Sequence, residues 1–422
     1  MFNICSILVL AMPAIFLVLA TGFSTSVHAA DTVRARDLGV PFSGTPGPLN
    51  AITDVKGLEV GQVTLVEGKG ALEVGKGPIR TGVTAILPRG KNSTSPVFGG
   101  WFTLNGSGEM TGTTWIEERG LIDGPILITN THSVGVVRDA AVSWMVDKGW
   151  VADWHAPIVA ETYDGGLNDI NGFHVTKAHA LEALGKAKSG KVVEGVVGGG
   201  TGMICNGFKG GIGTASREYQ VGSQTYTLGV LVQCNYNWSR DDLMIAGEPV
   251  GKRLKADPIC FTDSSIERHF GDYWPYCDSL NVVSVQPDYA RDGSIIVIIA
   301  TDAPLLPHQL RRVAKRPSLA LGRLGTVSND GSGDIFLAFS TASNQKLSEN
   351  EISNINMFPN NHLSTVFRAT VEATEEAIVN AMVGADTVIG INGIRIVGIP
   401  DKGLEAIMLE KQHSSEEKNW SK

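Results

Sequence analysis

Short runs dense in β-branched residues recur along the chain, each bounded by turn residues. Residues 125–129, 157–161, 226–233 and 294–301 have this character, and the pattern predicts buried strands there. Residues 334–341 add another, with Ile335, Leu337 and Phe339 alternating on one face. Helical spacing of apolar residues takes over at 136–148, and again at 307–321, where Arg311, Arg312 and Lys315 form a basic outer face. The longest predicted helix runs from about Leu363 to Val383. It offers Val366, Phe367, Val371, Ile378, Val379 and Met382 for burial and turns Glu372, Glu375 and Glu376 to solvent. Strands come in groups rather than in strict strand–helix–strand order, which favours an α+β fold over a doubly wound parallel sheet. Residues 238–291 break the pattern with Pro, Asp, Ser and aromatic residues, and read as a long loop or small subdomain ending just before Ser294. The tail after Glu410 is charged and is expected to fray.

Composition narrows the chemistry. The formal charge of −8 and the lack of a long basic run argue against a nucleic-acid partner. Residues 7–19 are apolar apart from Pro13 and lead to Val27-His28-Ala29-Ala30, the pattern of a secretory signal cut after Ala29. No later stretch is apolar enough to span a membrane. Of five cysteines, Cys5 leaves with that signal; Cys205, Cys234, Cys260 and Cys277 remain, without a CxxC pair. Export permits disulfides, and Cys260 with Cys277 is the expected pair. The Gly-rich stretch 196–216 lacks GxxxxGK[ST], and the residues after Gly213 read as strand rather than helix, so the stretch is taken as turns that let backbones pack closely. His132, His155, His174 and His308 each stand alone and no HExxH occurs, so neither a metal nor another cofactor is expected. GxSxG is missing as well, so a catalytic serine needs another means of activation.

Ser294 offers one, in the segment Asp292-Gly293-Ser294-Ile295-Ile296. Two readings stand side by side. In one, Ser294 is the ordinary first residue of a buried strand. In the other, its hydroxyl attacks the Gly293 carbonyl, and water hydrolyses the resulting ester. The freed Ser294 then carries an α-amine with an intrinsic pKa of about 7.7–8 that serves as base for its own hydroxyl.

Ordered blocks along nearly the whole mature chain decide between them. They are Arg34-Ala-Arg-Asp-Leu-Gly-Val-Pro, Asn50-Ala-Ile-Thr-Asp-Val-Lys-Gly-Leu-Glu-Val-Gly, Gly108-Glu-Met-Thr-Gly, Asn130-Thr-His-Ser-Val-Gly and Ala160-Glu-Thr-Tyr-Asp-Gly. After the Gly-rich stretch come Gly229-Val-Leu-Val-Gln-Cys-Asn-Tyr, Asp292-Gly-Ser-Ile-Ile through Ala303-Pro-Leu-Leu-Pro-His-Gln-Leu, and Gly331-Ser-Gly-Asp-Ile-Phe-Leu-Ala-Phe-Ser-Thr. In these blocks the chain resembles the DmpA-like L-aminopeptidase/D-esterase family, which includes the β-peptidyl aminopeptidases.

The resemblance implies an αββα sandwich of two sheets between helical layers, similar to the N-terminal nucleophile hydrolases. It implies self-cleavage of Gly293–Ser294 into residues 30–293 and 294–422, two subunits of one hydrolase domain that stay together, and a homo-oligomer such as a tetramer. By motif, Ser332 and Asp334 orient the nucleophile, Tyr163 and Asn235 stabilise the oxyanion, and Glu161 holds the substrate ammonium. Some members carry Glu in place of Asp334 and many carry Gly in place of Asn237, and residues 238–291 exceed the expected length. The expected function is an exported serine aminopeptidase acting on short peptides, amides or esters through an acyl-enzyme on Ser294, without membrane contact once the signal is gone. Two alternatives are acyl transfer, as in the related ornithine acetyltransferases, whose nucleophile is Thr, and a non-catalytic periplasmic peptide-binding protein, which would not cut itself.

Overall fold

The computed structural model describes residues 33–150, 154–267, 274–279, 293–342 and 352–420. The expected signal 1–29, Asp292 and parts of the 238–291 excursion lie outside the described residues. Two sheets form the centre. The larger has six strands in the order Leu121–Ile122, Val97–Gly106, Gly333–Ser340, Ser294–Thr301, Gln224–Asn235 and Gly211–Val221. Its neighbours are antiparallel except the central pair, Ser294–Thr301 and Gly333–Ser340, which is parallel. The smaller runs Glu59–Glu67, Ile79–Leu87, Ile126–Asn130 and Ile158–Thr162, and its last two strands are parallel.

Alternation along Ser294–Thr301 assigns the layers, because successive side chains leave opposite faces of a sheet. Ile296, Ile298 and Ala300 join Ile335, Leu337 and Phe339 against Ile86, Ile126, Ile128 and Ile158 of the smaller sheet. Ile295, Val297 and Ile299 pack the other way, onto Leu310, Val313, Leu321, Val366 and Ile378 of the helices outside. The outer face of the smaller sheet, with Val83, Ala85, Leu127 and Val159, is covered by Val137, Ala141 and Trp144 of helix Val134–Asp147 and by Ala183 and Leu184 of helix Lys177–Lys186. Three interlayer cores thus separate four layers, and the expected αββα sandwich is present. The Gly-rich stretch packs as expected: a Cβ at Gly213 would fall 1.9 Å from the Ala377 carbonyl oxygen of the long helix.

Several expectations change. The predicted helix 307–321 is two helices, Pro307–Ala314 and Pro317–Arg323. Pro317 has no N–H for an internal helical bond and fits best at the first position of a new helix. The tail after Glu410, expected to fray, continues the helix Asp401–Trp420 to the last described residue. Residues 238–291 include a satellite core in which Trp238 stacks on Trp274, with ring centroids 5.1 Å apart, beside Phe261, Ile394 and Ile396. Cys260–Phe261 pairs with strand Ile394–Ile396. The Cys260–Cys277 disulfide is formed, and Cys205–Cys234, which sequence spacing did not indicate, is formed as well. Among the described residues no helix is long and apolar enough to cross a membrane.

The helix Leu363–Val383 has the expected bounds, but Glu376 is not on a solvated face. It is fully buried and accepts from Arg36 Nε at 2.7 Å, Arg217 Nη2 at 2.7 Å and Asn50 Nδ2 at 2.6 Å. Burial alone would raise its pKa, yet the hydrogen bond from Arg36 and the charges of Arg217 and Arg36 outweigh it and hold the carboxylate below its ordinary range. Its contribution to stability is therefore present above the pKa of an unfolded Glu and is lost as pH falls through the lowered folded value. Glu376→Ala leaves the buried Arg217 guanidinium without its closest carboxylate, so a loss of about 3–5 kcal/mol is expected in urea unfolding at neutral pH. A loss below about 1 kcal/mol would mean that the pair is replaceable by water.

Candidate active site

Ser294 opens the central strand and is buried at the edge where its neighbours converge. It stands opposite Asn235 in the antiparallel register on one side and opposite Gly333 in the parallel register on the other. Directly opposed residues project to the same face, so Asn235 and Ser294 share one. The Gly333 N–H lies 3.2 Å from Ser294 Oγ and 3.0 Å from the Gly293 carbonyl oxygen. One backbone donor thus faces both the hydroxyl and the carbonyl that it would attack.

Glycine makes this approach possible at two points. Gly293 has φ +152°, and a Cβ there would fall 2.3 Å from the Asn235 carbonyl oxygen. A Cβ at Gly333 would fall 2.6 Å from the Ser107 carbonyl oxygen and 3.0 Å from Gly108 Cα.

The residues flanking Gly333 are tied to one another. Ser332 Oγ lies 3.0 Å from Asp334 Oδ2 and 2.9 Å from the Asn329 carbonyl oxygen, and it accepts from Asn105 Nδ2 at 3.1 Å. Burial raises the pKa of Asp334, while hydrogen bonds from Ser328, Ser332 and the Ile295 N–H oppose that rise. Asp334 therefore reaches both its neighbour Ser332 and the residue that follows Ser294, despite being shorter than Glu.

The smaller sheet supplies Glu161 and Tyr163 from the end of its strand Ile158–Thr162. Glu161 is buried and accepts from the Glu109 N–H at 2.9 Å and from the Thr131 hydroxyl. Burial raises its pKa, and those two hydrogen bonds offset part of the rise. A Cβ at Gly108 would lie 3.2 Å from Glu161 Oε1 and 3.3 Å from Gly333 Cα, which puts the carboxylate just across one glycine from the Gly333 backbone. Tyr163 comes just after the same strand, half-exposed, with its phenol over Gly165. Burial and the charge of Asp164 push the pKa of that phenol up, so it stays a donor. Asn235 Nδ2 donates to the Tyr163 carbonyl oxygen at 2.9 Å, and Asn235 Oδ1 accepts from the Ile204 N–H at 2.9 Å. These contacts fix the amide and leave one Nδ2 hydrogen to spare.

All six candidate side chains thus lie on segments joined by direct hydrogen bonds or ladder pairs. Sequence reasoning assigned no role to the Gly333 N–H, Glu109, Thr131, Asn105 or Asp164. Asp164 is fully buried, accepts from Asn130 Nδ2 at 3.1 Å and Asn168 Nδ2 at 3.0 Å, and has its pKa pushed up to about 6 by burial. Two of the sequence blocks, around Asn130 and around Tyr163, meet in this network. Among the described residues no group of three or more His, Cys, Asp or Glu is placed to hold a metal ion. His174 is instead paired with Asp169 at 2.8 Å.

The profile of Peptidase family S58 matches residues 50–396. The β-peptidyl aminopeptidase BapA of Sphingosinicella microcystinivorans is 54% identical over 384 residues, covering 90% of this chain and 93% of the relative. The BapA of Sphingosinicella xenopeptidilytica is 44% identical over 401 residues, covering 92% and 95%. The fold is similar to that of the L-aminopeptidase D-Ala-esterase/amidase from Ochrobactrum anthropi, described as a prototype for the serine aminopeptidases and a new variant among the Ntn hydrolase fold. That likeness has a TM-score of 0.77 at 44% identity and covers 90% of this chain and 99% of the other.

The close approach at Gly293 yields a test. Gly293→Ala forces a methyl group against the Asn235 carbonyl oxygen, so on a denaturing gel the wild type is expected to run as two bands and this variant as one. Two fragments formed at the wild-type rate would show that the approach is dispensable.

Proposed function

The chain belongs to peptidase family S58 and is an N-terminal nucleophile serine aminopeptidase, and we propose that Ser294 is its nucleophile, released by self-cleavage of Gly293–Ser294. The observation that carries this reading is the Gly333 N–H held between Ser294 Oγ and the Gly293 carbonyl oxygen. In the uncut chain the Ser294 nitrogen is an amide and has no basicity. We assign the Ser332–Asp334 pair to take up the hydroxyl proton as Oγ attacks Gly293. The C–N bond breaks, the proton passes to the departing Ser294 nitrogen, and water hydrolyses the ester to leave a Gly293 carboxylate and a Ser294 amine.

That amine then acts as base. Ser294 Oγ attacks the carbonyl of the substrate's first residue and its proton moves to the amine. The oxyanion is held by the spare Asn235 Nδ2 hydrogen and the Tyr163 hydroxyl, donors suited to charge that develops only in the transition state. Collapse expels the leaving amine or alcohol with that proton, and water cleaves the acyl-enzyme. Glu161 pairs with the substrate ammonium, which accounts for a requirement for an unblocked first residue. Substrates on this reading are short peptides, amides or esters, with β-amino acid first residues included because the relatives are named β-peptidyl aminopeptidases. Ser294 in place of Thr sets the chain apart from acyltransferases of the related fold. Export through residues 1–29 is supported by two disulfides, which suit an oxidising compartment. Assembly into a homo-oligomer belongs to the same proposal.

N-terminal sequencing of the purified protein is expected to find a fragment that begins Ser-Ile-Ile-Val, and Ser294→Ala is expected to abolish both cleavage and turnover of amino-acid anilides. An uncut mutant that still hydrolyses them would overturn the assignment. Glu161→Gln removes the charge opposite the ammonium, so KM for unblocked anilides is expected to rise about 10–100-fold with a smaller change in kcat. A fall in kcat at constant KM would place Glu161 in the chemistry rather than in binding.

A further inference from the structure

One exposed ring near Glu161 is held at a cost in backbone energy. Phe173 is 65% exposed and has φ +52°, a region that Gly and Asn enter readily and bulky side chains do not. Its neighbours keep it there. Buried Asp169 accepts from the Gly75 N–H at 2.8 Å and from His174 Nε2 at 2.8 Å, and His174 is the next residue after Phe173. A Cβ at Gly172 would fall 2.2 Å from His174 Nε2 and 2.3 Å from Asp169 Oδ2, so a larger residue there would press on this pair. The bracket presents a single benzyl group to solvent. That ring stacks on exposed His132, with centroids 5.9 Å apart and planes 22° apart. His132 is adjacent to Thr131, whose hydroxyl donates to Glu161, and the charge of His132 acts on the same carboxylate. An apolar ledge therefore adjoins the group assigned to the substrate ammonium.

We propose that Phe173, set on His132, receives the side chain of the substrate's first residue and favours apolar and aromatic ones. The proposal rests on the reading of Glu161 as the ammonium site. With the ammonium at Glu161, the first side chain departs from the same carbon as the amine or from the next one along, so it stays close to that carboxylate. An open ledge rewards apolar area without rejecting small residues, and covering the two rings removes apolar surface from water.

The test compares the p-nitroanilides of β-alanine and β-homophenylalanine. Phe173→Asn keeps a residue suited to the left-handed backbone and removes the ring. It is expected to raise the ratio of KM for β-homophenylalanine to KM for β-alanine by about 10-fold. Phe173→Tyr restores a ring and is expected to bring the ratio back to within about 2-fold of wild type. An unchanged ratio in Phe173→Asn, or a wild type that accepts only the β-alanine substrate, overturns the Phe173 assignment and leaves the aminopeptidase reading intact. A wild type that releases nitroaniline from no unblocked substrate overturns both.

Discussion

The parallel pairing of Ser294–Thr301 with Gly333–Ser340 is the constraint on which the site depends, because parallel strands begin at the same edge of a sheet. Such a pair needs a crossover, and helices Pro307–Ala314 and Pro317–Arg323 lie on that connection, packed on the outer face. Ser294 and Gly333 thereby become ladder neighbours, although 39 residues separate them. The antiparallel strand Gln224–Asn235 ends where they start and adds Asn235. The smaller sheet meets this edge in the opposite sense. Its parallel strands Ile126–Asn130 and Ile158–Thr162 finish together, and the residues at and just beyond their ends, Thr131, Glu161 and Tyr163, face the starts of the larger sheet's central pair.

Much of the layering was legible because burial on both faces of a strand writes a continuous apolar run. The run Ser294–Thr301 is one, and the predicted bounds match. Strands Glu59–Glu67 and Ile79–Leu87 escaped notice because Gly, Gln, Thr and Arg interrupt them. Arg80 is buried all the same, with its guanidinium spent on the carbonyl oxygens of Glu67, Gly68, Ile79 and Ile389. Glu376 misled for a related reason. Helical periodicity reports polarity, whereas burial of a charge depends on partners, and Arg36 and Arg217 lie 340 and 159 residues away in sequence. No local window contains them.

The site divides along the same line. Ser294 in isolation is a serine at a strand start, and only ordered blocks spread across the chain raised it above that. Tyr163, Asn235, Glu161, Ser332 and Asp334 came from motif resemblance, since each is an ordinary polar residue by type. Two of the donors that sequence reasoning passed over are backbone groups, the N–H of Gly333 and of Glu109, and an amide donor leaves no mark of its own in the letters. Its trace is the glycine beside it: Gly108 precedes Glu109 and abuts Gly333. Asp164 is different, because a carboxylate after Tyr163 was visible. Its task of tying Asn130 to Asn168 beneath the strand ends depends on contacts that only the fold supplies.

On the proposed mechanism, self-cleavage and substrate turnover place unlike demands on one set of atoms, and the geometry is compatible with both. Before the cut, the Gly293 carbonyl is fixed by the chain itself, so no binding energy is needed to bring it to Ser294 Oγ, and a poor base suffices for an event that occurs once. After the cut, an amine with a pKa near the working pH replaces the amide, which suits repeated proton transfer. The departure of Gly293 also vacates the place opposite the Gly333 N–H that its carbonyl oxygen held. A substrate carbonyl anchored through Glu161 enters that place against an amide that the following rungs of the same ladder, from Ile295 opposite Asp334 onward, still hold in line. On the proposed mechanism, then, the precursor's scissile bond acts as a template for the substrate that succeeds it.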